Sequence, residues 1–74
     1  MPDIGGSTPL EAELDALFHR LNNQLGIILA HAELLEAKAV DDMTRARAER
    51  VVASALDAME SVREIRVRAD TAGI

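Results

Sequence analysis

Asp15, His19 and Asn23 follow one another at four-residue spacing, and Arg20 comes directly after the histidine. On a helix, side chains four apart sit one above the other. The spacing therefore predicts a carboxylate, an imidazole and an amide in a row. An imidazole offers an unprotonated ring nitrogen near neutral pH, which makes it a nucleophile or proton carrier. Arginine accepts no proton but attracts anions. Around the histidine, steps of three and four residues collect Ala12, Ala16, His19, Asn23, Gly26 and Ala30. All are small except the histidine and the asparagine, and Gly26 costs a helix interior about 1 kcal/mol relative to alanine. Such a face lets a partner's backbone or a phosphate loop come close. The plainer reading is that alanine fills helices by propensity and that a lone exposed histidine has no role.

Other chemistries find less support. His31 follows His19 by twelve residues, about 120° around a helix, so the two share no ion within one chain. Glu33 and Glu36 read as solvated charges and His31 as an edge-of-core histidine, so no metal is expected. There is no cysteine, which removes disulfides and thiolate metal sites. No serine flanks either histidine, so no nucleophilic triad can be built. Asp41-Asp42 suits helix capping better than acid-base work. Gly5-Gly6 lies in a tail rather than between a strand and a helix, so it is no nucleotide loop.

The elements that must carry these residues are two helices. Met1 to Ser7, with Pro2, Gly5, Gly6 and Ser7, reads as a loose tail. Thr8-Pro9-Leu10-Glu11 is a helix start with a cap, a first-position proline and a capping-box glutamate. The first helix is expected over about 9–38, some 45 Å at 1.5 Å per residue. Leu14, Leu21, Ile28 and Leu35 recur every seven residues, and so do Phe18, Leu25 and Ala32, giving a coiled-coil-like seam. With the first series at d and the second at a, His19 falls at b, outside the seam. Ala39-Val40-Asp41-Asp42 is a break in which Asp41 or Asp42 caps a second helix over about 42–69. Ala48, Val52, Ala55, Met59 and Val62 form its buried series, with Val51, Ala58 and Ile65 beside them. Arg63, Arg66 and Arg68 suit the negative end of its dipole. Residues 71–74 read as a frayed end, leaving a hairpin over 8–70.

The segment His19-Arg20-Leu21-Asn22-Asn23-Gln24-Leu25, continuing through Gly26 to Leu35, resembles the phosphoacceptor box of bacterial sensor histidine kinases. It resembles especially the subgroup written His-Asp-Phe-Asn-Asn-Leu-Leu. The resemblance is to the dimerisation and histidine-phosphotransfer domain of that family; it is specific over His19 to Leu35 and weaker through the second helix. It implies an all-α antiparallel hairpin that dimerises into a four-helix bundle. It also implies His19 as the phosphoacceptor, Asn23 as the side chain that positions the phosphate or its attacking water, and Asn22 as the first asparagine of the pair. Where the family has an acidic residue after the histidine, this chain has Arg20, a contact for phosphate or for a receiver domain. Asp15, one turn earlier, is the substitute carboxylate. Ala16, Asn22 and Gly26 belong to the expected docking surface.

The resemblance also implies partners: a response regulator receiver domain with Mg2+ in its own acidic pocket, or a kinase ATP-binding domain. No cofactor is expected on this chain. Without asparagine and glycine boxes it is not a complete kinase. It is expected to be a histidine phosphotransferase module or a fragment of a sensor kinase, and the Met1 tail favours a small whole protein. Two further readings stay open: a catalytically silent dimeric adaptor or decoy, favoured by Arg20, and a purely structural helical hairpin. Composition bounds all three. Seventy-four residues make one small domain, marginal alone, and an apolar content of 49% with a single aromatic, Phe18, points to an aliphatic core completed by oligomerisation. A net charge of −5 opposes the phosphate neutralisation that nucleic-acid binding needs. The longest apolar run, Leu25 to Ala32, falls well short of the ~20 residues of a membrane span. Met1 to Ser7 lacks the charged and apolar regions of a signal peptide, and a cytoplasmic location is expected.

Overall fold

The computed structural model describes residues 8–73, so the expected tail at Met1 to Ser7 and the last residue, Ile74, lie outside them. Two helices, α1 (Pro9–Lys38) and α2 (Asp42–Thr71), fold back on each other as an antiparallel hairpin. The start of α1 is built by its own side chains. Thr8 Oγ1 accepts a hydrogen bond from Glu11 N at 3.1 Å, and Thr8 N donates to Glu11 Oε1 at 3.4 Å. With Pro9 in the first turn, this arrangement satisfies or removes three of the N–H groups that a helix start leaves unpaired.

The turn is equally local. Ala39 takes an extended conformation and ends α1. Asp41 caps α2: its Oδ1 accepts from Thr44 N at 2.7 Å and its Oδ2 from Thr44 Oγ1 at 2.9 Å. Arg45 Nη2 donates to Ala39 O at 3.1 Å, tying the new helix back to the end of the old one. At the far end α2 reaches Thr71, beyond the expected stop near residue 69 and into the stretch expected to fray. Its last turns find local partners: Thr71 Oγ1 donates to Val67 O at 2.9 Å and Ala72 N to Arg68 O at 2.9 Å. Gly73, at φ +79°, takes the left-handed conformation that commonly follows a helix end.

The core is thin. Ala32, Ala48, Ala55 and Val62 are its buried residues, and no large side chain among the described residues is fully enclosed. On α1 the face toward α2 is marked by Phe18, Asn22, Leu25, Leu29, Ala32 and Glu36, the alternating four-and-three step of one helix face. Phe18, Leu25 and Ala32 therefore line the hairpin as expected. The companion series does not: Leu14 is half-buried, whereas Leu21, Ile28 and Leu35 are exposed. The reason is geometric. One helix covers a stripe roughly 100° wide on its neighbour, and here that stripe is centred on the Phe18–Leu29 line. The other heptad series is displaced to one flank. On α2 the same division holds, with Val52, Ala58 and Met59 half-buried, and Val51 and Ile65 exposed.

The result is a rod of 61 × 18 × 13 Å with a radius of gyration of 17.1 Å. A compact globule of this length would have about 11 Å. None of the described helices is long and apolar enough to cross a membrane.

Candidate functional site

His19 lies in the third turn of α1, and its side chain is exposed. At 100° per residue it is about a quarter-turn from the line of α1 that faces α2. Leu21, Ile28 and Leu35 are a quarter-turn away in the opposite sense. The imidazole and the exposed apolar series thus occupy opposite flanks of the hairpin. Among the described residues, no side chain hydrogen-bonds to the His19 ring.

The neighbours expected around His19 are placed unequally. Asn23 is exposed one turn on and nearly in line with the histidine, as four-residue spacing demands. Ala16 is exposed as well. Gly26 is half-buried, and a β-carbon built on it would meet nothing within 4 Å. Nothing inside the hairpin therefore requires glycine there, and the space outside it is open. Asn22 is half-buried on the side facing α2. Arg20 is exposed, a further 100° around the helix from His19 and away from its flank.

Asp15 has a different partner from the one expected. Its Oδ1 accepts a hydrogen bond from Arg66 Nη2 at 2.7 Å, a link between residues 51 positions apart. The same guanidinium lies 5.8 Å from the centroid of the Phe18 ring, a cation–π geometry. Together with Glu11 and Asp70, these side chains line a cleft of about 110 Å³ at the open end of the hairpin. Asp15 thus sits one turn from His19 but is held by α2. The partnership was within reach of the sequence: Arg66 continues the seven-residue series Val52, Met59, so it had to face α1, where a carboxylate is the natural acceptor.

His31 is exposed, not at the edge of the core. It borders an open apolar depression with Leu34, Leu35 and Lys38 near the turn. Among the described residues, no group of three His, Cys, Asp or Glu side chains is arranged to hold a metal ion. On the flank away from the exposed leucine and isoleucine series, the arrangement offers an unencumbered imidazole with an amide one turn beyond it. Compared with protein-family models, with curated proteins and with solved structures, the chain matches none.

Proposed function

We propose that this chain is a phosphotransfer module of the two-component type, in which His19 carries a phosphoryl group to or from an aspartate of a receiver domain. The observation that carries the reading is the free, exposed His19 ring on the flank opposite the apolar series. A ring nitrogen of His19 attacks the phosphorus of an aspartyl phosphate. The nitrogen–phosphorus bond forms, the bond to the carboxylate oxygen breaks, and the aspartate leaves as a free carboxylate; the reverse steps return the group. Asn23, one turn on, orients the phosphoryl oxygens or a water. Ala16 and the open space over Gly26 let the receiver's loop approach closely. Mg2+ belongs to the receiver's acidic pocket. Such a module works in the cytoplasm.

Dimerisation is part of the same proposal. Leu10, Leu17, Leu21, Ile28 and Leu35 of α1 are exposed, as are Val51 and Ile65 of α2. Leu14 and Ala69 line one cleft, which puts the matching flanks of α1 and α2 side by side and makes these residues one surface. A second copy covering it by two-fold symmetry makes a four-helix bundle with both His19 rings outside.

The test is transfer of labelled phosphate from a phosphorylated receiver domain, comparing wild type with His19→Gln. Acid-labile label on wild type alone is expected. A silent adaptor or decoy is the second reading, favoured by Arg20 in place of an acidic neighbour. It predicts stable receiver or kinase binding with no label on either protein.

A further inference from the structure

We propose that Arg63, on the helix opposite His19, is the side chain that grips a phosphoryl group carried by that histidine. The inference rests on His19 being the phosphoryl carrier and adds a phosphate ligand to it.

The register of the hairpin places the two residues together. Asp15 meets Arg66 at 2.7 Å, and Glu11 and Leu14 share a cleft with Ala69 and Asp70. Moving four residues forward along α1 from Asp15 reaches His19. The same distance back along the antiparallel α2 runs from Arg66 to Val62 and Arg63. Val62 is buried and points at α1, so it is not the residue that meets solvent at this level. Arg63 is exposed.

The flank is fixed by the same contacts. Around α1, Asp15 lies on the side of the α2-facing line that also holds His19. Around α2, its partner Arg66 lies on the side of the α1-facing line that also holds Arg63. The pairing of Asp15 with Arg66 therefore brings the His19 and Arg63 flanks to one face of the hairpin. For helices packed at the usual separation, the two Cα atoms are about 9 Å apart. An arginine side chain is long enough to span most of that gap and so to reach a phosphate on the ring.

Arg63 is also available. Arg45 pairs with Asp42, Arg66 with Asp15 and Arg68 with Glu64, whereas Arg63 makes no ion pair among the described residues. It lies eight residues before the end of α2, beyond the last turn where a cation gains from the helix dipole. Arg20, though adjacent to His19 in sequence, faces away from that flank. A guanidinium is suited to the task, because its planar fork meets two phosphate oxygens at once.

The experiment loads the full chain with phosphoramidate, which forms the nitrogen–phosphorus bond at a histidine as ammonia leaves, and so needs no protein partner. The phosphorus resonances of His19 and His31 are then titrated with pH, each assigned by a glutamine variant. In wild type the phosphoryl group on His19 should ionise at lower pH than that on His31. Arg63→Ala should raise the His19 value by about half a unit and leave His31 unmoved, and Arg63→Lys, which keeps the charge but not the fork, should restore only part of the difference. No change at His19 in Arg63→Ala overturns the proposal, as does a shift produced by Arg20→Ala instead or a failure of His19 to take phosphate. Because the donor is a small molecule, a chain that fails to exchange phosphate with any receiver can still pass this test, which keeps the two readings apart.

Discussion

A helical residue acts outward only when the fold leaves it unused, and the polar side chains here divide on that criterion. Asp15 and Arg66 are consumed in joining the helices, whereas His19 and Asn23 are free. Both partners of the Asp15–Arg66 pair are partly exposed, and pairs of that kind contribute about 0–1 kcal/mol; the pair sets register more than stability. Asp41 carries a sharper prediction. Hydrogen bonds from the Thr44 backbone N–H and hydroxyl hold its carboxyl below the ordinary value of 3.8. A lowered folded-state value means that its support for α2 is fully present above 3.8 and fades as the pH falls through the lowered value. Asp41→Asn keeps a capping oxygen without a titrating group. Helicity followed by circular dichroism should therefore lose less on going from pH 5 to pH 2 in the variant than in wild type. An unchanged acid profile would mean that other carboxylates govern the transition.

Each helix is defined by its own ends and by what its faces can tolerate. Gly26 interrupts α1 without any steric need inside the hairpin. Gly26→Ala should therefore stabilise the fold by about 1 kcal/mol, read as a raised midpoint in urea. If the receiver approaches across this face, the same variant should lower the rate of phosphate exchange while leaving His19 reactive toward phosphoramidate. On α2 the buried Ala55 sets how closely the helices approach. Ala55→Leu should cost about 1–3 kcal/mol by overpacking, seen as a lowered urea midpoint. The elements themselves were legible because their signals are local: the Thr8–Glu11 box, the Asp41 cap and the seven-residue series need no distant contact. α2 runs two residues past the expected stop near residue 69 because no strong stop precedes Gly73 and the Thr71 hydroxyl prolongs the last turn.

At the scale of the molecule, the hairpin is a rod with an alanine-rich seam and a leucine- and isoleucine-rich flank. A buried core of Ala32, Ala48, Ala55 and Val62 offers little apolar burial to offset the entropy of ordering two long helices. The proposed dimer supplies the rest. Ile28→Lys, at a residue 48% exposed in the hairpin, should leave a lone hairpin unharmed but convert the dimer to monomer in analytical ultracentrifugation. It should also make the thermal midpoint lower and independent of concentration. An Ile28→Lys protein of unchanged mass and stability would remove the four-helix arrangement. Legibility fell off at this scale because heptad spacing shows that two stripes exist, but not which one a given neighbour covers.

By itself the sequence determined the helices, their caps, the turn between them and an imidazole lying off the seam. All of these follow from interactions within a few residues and from the 3.6-residue period. Only the tertiary structure decided that α2 packs on the Phe18–Leu29 line and leaves Leu21, Ile28 and Leu35 outside, and that Asp15 is held by Arg66. Those outcomes depend on how far one helix is rotated and slid against the other. That choice is made by the fit of Ala32, Ala48, Ala55 and Val62 across the interface, which no spacing within a single helix records.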